Sequence, residues 1–421
     1  MANLRRDIDL PNLIIYGIGI ILGAGIYALI GEAAGITGNS IWISFLLAAI
    51  TSSFTGLSYA ELAAMYPKSA AEYHYVKNAF NKKSLAFLVG WTEIFADIIA
   101  TSTVALGFGQ YFKGLFGFPI VLTSLGLIAI LSFINFWGIN ESSRANMICS
   151  IIEFSGLALI IVLGIFFGGK VNYLEAQQGL KGILSASALI FFAYLGFEEL
   201  VNIAEETKSP RKNLPKALIF SVVITSVVYI LVSISVVSLV NWKDLSTSSS
   251  PLAYAASVVL GPDAFLIMSF IALFATANTV LISLIVGSRM IYGMSKDGSL
   301  PRMFSKVHKK RRTPWMAVLV TMGFSMLFVL FGDIKIVASI TDLGVFATFI
   351  LVNASLILLR YTKPKAKRPF KTPLNIGKFP VIGLLGLISC STLLFHLEPI
   401  TLLYGVGLIF AGVVFYFLLK K

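Results

Sequence analysis

The sequence is poor in charge, in cysteine and in histidine. Only 13% of its 421 residues are charged, whereas a soluble domain carries roughly 25%, so a soluble globular protein is excluded. The two cysteines, Cys149 and Cys390, lie in apolar stretches and are expected to be buried free thiols rather than a disulfide. The chain has three histidines and contains no HExxH or GxSxG pattern. An intramembrane enzyme is therefore not expected.

Long apolar runs, by contrast, recur along the whole length. Hydrophobic residues make up 57% of the chain, and runs of about 20 apolar residues are long enough to cross a bilayer. Turn signals between the runs predict an all-α polytopic membrane protein. No small-residue cleavage site follows the N-terminus, so the first run is expected to be a retained span. We predict twelve transmembrane helices, numbered in order, at residues 12–34, 41–66, 84–112, 119–138, 145–168, 182–205, 215–240, 264–293, 315–332, 335–359, 379–396 and 399–419.

Positive charge is concentrated on one side of this topology. Of the 33 Lys and Arg residues, 28 fall on the side that holds both termini, and the segment 289–314 is the richest in them. The positive-inside rule places that side, with both termini, in the cytoplasm. The net charge of +13 is therefore interpreted as a topology signal. We expect the lipid bilayer, and not nucleic acid, to be the partner of the basic segments.

Two of the predicted helices contain weak points at corresponding places. The stretch GIGIILGAGIYALIG (17–31) places Gly23, Ala24 and Gly25 near the midpoint of predicted helix 1, although glycine costs a helix about 1 kcal/mol relative to alanine. The stretch 193–196 lies about halfway along predicted helix 6. These helices open two sets of five spans that have opposite topology. Interrupted helices at matching positions of inverted repeats indicate the binding site of a secondary transporter.

The freed backbone groups indicate the kind of ligand. The outer half of helix 1 begins near Gly25 with free N–H groups and a positive dipole end, which suit a carboxylate. The outer half of helix 6 ends near Phe192 and Ala193 with free carbonyls, which suit an ammonium group. A ligand that carries a carboxylate and an ammonium group close together is an α-amino acid. The alternative is that the glycines only permit close helix packing, which explains helix 1 alone but not the matching weak point in helix 6.

Several segments resemble the amino acid–polyamine–organocation superfamily of transporters. They are GIGIILGAGIYALIG, LSYAELAAMYPKSAAEYHYV (58–76), FFAYLGFEELVNIAEETKSPRKNLPKA (191–217), GSRMIYGMSKDGSLPRMFSKVHKKRRTP (287–314) and KRPFKTPL (367–374). The resemblance covers nearly the whole chain in order and implies a prokaryotic amino acid permease. It implies one transporter domain over 1–421 with a five-plus-five inverted-repeat fold: a first repeat at 12–168, a second at 182–359 and two additional helices at 379–419. Helices 1 and 6 would hold the substrate, and helices 3, 8 and 10 would wall the site.

Carried over residue by residue, the resemblance implies two parts of a substrate site. The carboxylate site comprises Gly23, Ala24, Gly25 and Ile26. The ammonium site and its aromatic wall comprise Phe191, Phe192, Ala193, Tyr194 and, in the same break, Gly196. The small and aromatic residues at these positions favour a neutral substrate.

Glu153 is the strongest candidate for ion coupling, because ionisable residues inside membrane spans are functional candidates by default. It lies in the apolar stretch ICSIIEFSGLALII, roughly 12 Å along the helix from the cytoplasmic face at 1.5 Å per residue. At this position many proton-coupled relatives carry a lysine, so the charge is reversed here. The carboxyl either carries the proton itself or helps to bind a cation. The alternative is a neutral buried acid bonded to a serine or a backbone carbonyl.

Other polar residues within the spans are secondary candidates. Glu93 and Asp97 share one face of helix 3 and either line the pathway, favouring cationic substrates, or, for Glu93, lie near solvent. Glu198 and Glu199 begin the inner half of helix 6, where a gating or capping role is expected. Three residues of helix 8 complete a cation or substrate site, or else bond only to their own helix: Thr276, Asn278 and Thr279.

Together these features predict a multi-pass transporter that takes up amino acids across the cytoplasmic membrane by proton coupling. Sodium remains open as the driving ion, and no cofactor or metal is expected. The alternatives are an ion-independent exchanger and a transporter-like sensor. The identity of the amino acid, the oligomeric state and any partner subunit cannot be predicted from the sequence.

Overall fold

The computed structural model describes residues 6–248, 250–331, 334–396 and 399–419. Side chains at positions 28, 114, 140, 141, 331, 334–342, 399–402, 404 and 419 are outside this description. The predicted cytoplasmic placement of the chain ends concerns residues 1–5 and 420–421, which also lie outside the described residues.

Regular structure in the described ranges is helical apart from one short hairpin. The α-helices are α1 (Leu10–Ile21), α2 (Ala24–Thr37), α3 (Ile41–Met65), α4 (Ala71–Phe80), α5 (Lys83–Phe116), α6 (Ile120–Trp137), α7 (Ile139–Phe167), α8 (Gly179–Ile190), α9 (Pro210–Leu239), α10 (Trp242–Thr247), α11 (Pro251–Leu260), α12 (Pro262–Lys296), α13 (Trp315–Phe331), α14 (Ile334–Thr362), α15 (Val381–Leu394) and α16 (Pro399–Leu419). Short 3₁₀ segments occur at Gly38–Ser40, Phe191–Tyr194, Glu199–Glu206 and Arg302–Ser305. Strands β1 (Asn375–Ile376) and β2 (Phe379–Pro380) pair antiparallel.

The protein is a multi-pass membrane protein. Among the described residues, nine helical segments are long and apolar enough to cross a membrane, and they coincide with predicted helices 1–8 and 10. Predicted helices 9, 11 and 12 fall on shorter apolar helices, at 315–330, 381–394 and 405–418. Helix ends agree with the predicted windows to within several residues, because prolines and glycines mark them: α9 and α12 begin at Pro210 and Pro262, and Gly138 follows the last residue of α6.

Both weak points read from the sequence are interruptions of the helix. Helix α1 ends at Ile21, and α2 begins at Ala24. The second interruption is longer: α8 ends at Ile190, and the chain continues as 3₁₀ helix at 191–194 and 199–206 with a turn between them. Gly196 in that turn has φ +117°, a conformation that disfavours any residue with a Cβ.

Three helices were not predicted. Helix α4 lies in the segment 67–83, and α10 and α11 lie between predicted helices 7 and 8, where the sequence analysis placed only loops. These helices have 10, 6 and 10 residues, so a search for span-length apolar windows cannot find them. α4 buries Tyr73, Tyr75 and Val76 against the bundle, which makes it a packed element of this end of the protein.

The helices form one bundle whose most extensive contacts are between α3 and α9 and between α5 and α12. Helices α6 and α7 lie at the periphery, where Ile130, Phe133, Ile165 and Phe166 are exposed. Exposed apolar side chains on this scale fit a lipid-facing surface. Both cysteines are free as predicted; Cys390 is buried and Cys149 is partly buried.

The N-terminal segment is tied to the end of the second interrupted helix. Ile8 and Thr207 form a parallel bridge. The Ile8 N–H donates to the Glu206 carbonyl at 3.2 Å, and the Lys208 N–H donates to the Ile8 carbonyl at 2.8 Å. The start of α1 and the segment 199–206 are thereby held together.

Candidate functional site

The two helix interruptions face each other across the centre of the bundle. A Cβ placed on Gly25 would lie 2.6 Å from the Cα of Ala193, and one placed on Gly196 would lie 3.1 Å from the carbonyl oxygen of Ile20. Backbone therefore meets backbone, which a larger residue at either glycine would prevent.

Two hydroxyl groups bond to backbone groups at the interruptions. The N–H of Ala24, at the start of α2, donates to Thr279 Oγ1 of α12 at 3.1 Å. The Tyr229 hydroxyl of α9 donates to the carbonyl of Ala193 at 3.0 Å, and its oxygen also contacts the carbonyl of Ile21. An unpaired buried backbone group is costly, so these contacts stabilise the interrupted helices. Thr279 was predicted for this region, whereas Tyr229 was not. The sequence marks Tyr229 only as a single tyrosine within an apolar run.

A cavity of about 60 Å³ lies where the interruptions meet. A space of this volume accommodates a few water molecules. Helices α5, α12 and α14 complete its walls. The sequence-predicted residues that line it are Gly23, Ala24, Gly25, Phe192, Ala193, Gly196, Thr279, Asp97 and Glu198, together with Glu93 and Glu199.

Other predicted substrate-site residues lie away from this cavity. Ile26 is fully buried in the core. Phe191 packs against Phe346, with ring centroids 4.9 Å apart, and the Tyr194 hydroxyl donates to the carbonyl of Phe45 at 3.1 Å. Of the predicted aromatic wall, only Phe192 reaches the cavity.

The polar residues of predicted helix 8 divide into three roles. Thr276 donates to the carbonyls of its own helix, at 2.8 and 3.0 Å. Asn278 bonds across to the first interrupted helix: its side-chain amide donates to the carbonyl of Gly19 at 3.2 Å and accepts from Asn146 at 2.9 Å. Thr279 lines the cavity.

Glu153 is fully buried outside the cavity. Neither carboxyl oxygen has a hydrogen-bond partner among the described residues, although Asn278 lies close enough to interact with it. The Tyr27 hydroxyl donates to the Glu153 backbone carbonyl at 2.9 Å. The surroundings are thus less apolar than the sequence around Glu153 indicates. Through Asn278, the acid adjoins the last turn of α1, next to the interruption.

Four carboxylates line the cavity from two sides. Glu93 and Asp97 of α5 are each 7% exposed, so Glu93 is buried rather than near solvent. Glu198 accepts from the N–H of Gly196 at 2.9 Å and so caps the turn, in keeping with the capping interpretation. Glu199 is partly buried beside it.

A buried ion pair lies at the end of the segment 199–206. Arg289 of α12 is fully buried, and its guanidinium donates to both carboxylate oxygens of Glu206, at 2.9 and 3.1 Å. It also donates to Asn135 of α6 at 2.5 Å. Arg289 was counted among the basic residues of the segment 289–314, and its buried pairing was not predicted: the residue connects α12 to the interrupted helix.

Helix α4 also contacts this segment through a buried carboxyl. Glu72 accepts from the Asn202 amide at 3.1 Å, and Asn202 accepts in turn from the N–H of Ala71 at 2.8 Å. Tyr59 and Tyr75 adjoin the same carboxyl. Burial raises the pKa of Glu72 from 4.5 to about 7.

This shift predicts a pH-dependent stability. Between about pH 4.5 and 7 the folded protein keeps the Glu72 proton while the unfolded chain loses it, so stability falls as pH rises through this window and levels off above it. The decline is at most about 3 kcal/mol. Unfolding in detergent at pH 5 and pH 8 is expected to show a smaller decline for Glu72→Gln than for the wild type. Equal declines would contradict this assignment.

Comparisons with known proteins show which family the chain resembles over its length. A family model described as amino acid permease matches residues 8–418. The chain is similar to a branched-chain amino acid permease of Bacillus subtilis (strain 168), at 29% identity over 100% of this chain and 94% of the relative. It is also similar to a methylthioribose transporter of the same organism, at 29% identity with the same coverage. A mitochondrial cationic amino acid transporter 3 of Arabidopsis thaliana is 28% identical over 90% of this chain and 66% of its own length.

Proposed function

Because this chain belongs to the amino acid permease family, we propose that it carries amino acids across the cytoplasmic membrane by alternating access. Family membership confirms the resemblance seen in the sequence and makes the chain a transporter rather than an enzyme. The observation that carries the proposal is the meeting of two interrupted helices around a small cavity inside the bundle.

The proposed architecture has twelve spans in two inverted sets of five, followed by two additional helices, with both termini in the cytoplasm. It is supported by the interruptions, which open the first and second sets, and by the excess of Lys and Arg on one side. Because the cavity is small, the helices must move apart before a substrate binds, as alternating access demands.

The proposed substrate contacts use the backbone of both interruptions. The substrate carboxylate would replace the Thr279 hydroxyl at the N–H of Ala24, where the positive end of α2 favours an anion. The substrate ammonium would bond to the carbonyl of Ala193, to which the Tyr229 hydroxyl donates in this structure. Exchange of a protein hydroxyl for a charged substrate group keeps the N–H of Ala24 and the carbonyl of Ala193 paired in either state.

Glu153 is the proposed coupling group, with the proton as the proposed driving ion and sodium as the alternative. An isolated buried carboxylate is costly, so a carboxyl without a hydrogen-bond partner is a suitable proton carrier. Its neighbour Asn278 bonds to the carbonyl of Gly19. Gain or loss of the proton can therefore be transmitted to the end of α1, next to the substrate site.

Uptake into proteoliposomes tests this proposal. With an imposed inward proton gradient, the wild type is expected to accumulate labelled amino acid at least tenfold above equilibrium, whereas Glu153→Gln only equilibrates or exchanges it. Glu32→Gln is the matched control, since Glu32 is exposed on α2, and it is expected to accumulate substrate like the wild type.

The alternative function, an exchanger, predicts a different result in the same assay. The wild type would then ignore the gradient but trade internal for external substrate, and Glu153 would have a structural role. Absence of both uptake and exchange for every amino acid tested would contradict transport and favour a sensor.

A further inference from the structure

The cavity between the interruptions is strongly acidic. Glu93 and Asp97 of α5 and Glu198 and Glu199 of the interrupted helix all line it, and no lysine, arginine or histidine is among the described residues that do. A substrate whose charges are only its backbone carboxylate and ammonium would bring no further positive charge to balance these four acidic side chains.

One of these carboxyl groups is buried without a full set of partners. Glu93 is 93% buried, and its Oε1 atom has no hydrogen-bond partner among the described residues, although Thr348 of α14 interacts with the same carboxyl. Glu198 differs, because it already caps the turn at Gly196. Glu93 on α5 therefore has hydrogen-bonding capacity left for a ligand.

The acids lie toward one end of the cavity. On α5, Ala100 and Val104 also line the cavity, and Ala100 is about 10 Å along the helix from Glu93 at 1.5 Å per residue. On the opposite wall, Glu198 and Glu199 follow Ala193 in the direction of Glu206. An acidic end thus adjoins the backbone groups proposed to bind the amino acid.

We propose that this acidic end binds the cationic side chain of a basic amino acid, between Glu93 and Asp97. The inference rests on the proposed function and adds the substrate class to it. The substrate backbone binds at the interruptions, and its side chain extends along α5 toward the carboxylates. The acidic end therefore outweighs the preference for a neutral substrate that was inferred from the small and aromatic residues; of the aromatic ones, only Phe192 lines the cavity.

A metal ion is a less suitable occupant. In the described part of the chain, no three acidic, histidine or cysteine side chains converge closely enough to hold one. An organic cation does not need that convergence, because the N–H groups at the tip of its side chain bond to one or two carboxylates.

Competition between lysine and norleucine tests the proposal, since norleucine has the same side-chain length without the ammonium group. Binding to the purified protein in detergent is measured by displacement of labelled lysine and by thermal stabilisation with each amino acid. The wild type is expected to bind lysine at least tenfold more tightly than norleucine. In Glu93→Gln/Asp97→Asn the ratio is expected to fall below twofold, because lysine loses its partners and norleucine does not. Asp263→Asn is the control, because Asp263 is an exposed acid at the start of α12.

The outcomes separate this inference from the proposed function. Equal binding of lysine and norleucine to the wild type would overturn the cationic class and leave amino acid transport intact. Absence of binding or transport for both, and for leucine and alanine, would overturn the proposed function and the inference with it. The wild-type comparison needs no variant, so a failure of the double variant to fold does not remove the test.

Discussion

Arg289→Ala is expected to lower the free energy of unfolding by about 3–5 kcal/mol, because it removes one partner of a buried ion pair. The guanidinium occupies both carboxylate oxygens of Glu206 and also donates to Asn135. Without it, a buried carboxylate loses its countercharge and two hydrogen bonds. Most of the cost comes from the stranded Glu206 rather than from the lost attraction.

The double variant Arg289→Met/Glu206→Leu distinguishes these two contributions. It removes both charges, so it is expected to recover most of the stability that the single variant loses. Denaturant or thermal unfolding in detergent measures both effects. Arg302→Ala, which changes an exposed arginine beyond the end of α12, is the control and is expected to change stability by less than about 0.5 kcal/mol. A loss below 1 kcal/mol in Arg289→Ala would contradict the assignment.

Gly25→Ala is expected to reduce amino acid exchange by between about tenfold and a hundredfold. The added Cβ would lie 2.6 Å from the Ala193 Cα and 3.3 Å from its backbone nitrogen. Backbone at such a distance cannot rotate away, so the two interruptions must separate, at a cost of about 1–3 kcal/mol for overpacking. The separation would fall where the substrate carboxylate and ammonium are proposed to bind.

Gly126→Ala is the matched control for this variant. Gly126 lies in α6 and has no atom within 4 Å of an added Cβ, so alanine there is expected to leave exchange unchanged and to favour the helix slightly. Exchange of labelled substrate in proteoliposomes gives the rates, and size-exclusion chromatography checks that both variants fold. Normal exchange by Gly25→Ala would show that the closed contact is not part of the transport cycle.

The positions of the spans and of both interruptions were predictable because each depends on local sequence. Apolar runs, prolines and glycines mark helices wherever they occur, and the stretch around Gly25 needs no partner to be recognised as a weak helix. The count of twelve spans and the inverted repeat stay predictions, since the predicted helices 9, 11 and 12 fall on shorter apolar helices.

The direction of side chains at the second interruption was not predictable. A 3₁₀ helix has 3.0 residues per turn rather than 3.6, so a side chain in the segment 191–194 does not point where α-helical spacing would place it. Phe192 faces the cavity, whereas Phe191 packs against Phe346 and Tyr194 bonds to Phe45. The sequence indicated which segment lines the site. Which of its side chains faces the cavity depends on the 3₁₀ geometry of the segment, which the sequence did not indicate.

Contacts between distant segments were also outside the reach of the sequence. Tyr229 reaches the carbonyl of Ala193, and Arg289 binds Glu206 from another helix. In a single sequence nothing connects such positions, so an arginine close to a basic loop was assigned to that loop. Such buried contacts between distant residues can be identified only from the packed structure.

The backbone pairing of Ile8 with the segment 206–208 constrains how the protein is made. Synthesis proceeds at about 5–20 residues per second, so residue 208 is made on the order of 10–40 s after Ile8. Until then the Ile8 N–H and carbonyl lack the partners that they have in the folded protein, the carbonyl of Glu206 and the N–H of Lys208. The first helix is therefore made well before its start is tied to the second interruption. The ion pair between the Glu206 carboxylate and Arg289 forms later still, because Arg289 follows about 80 residues further along the chain.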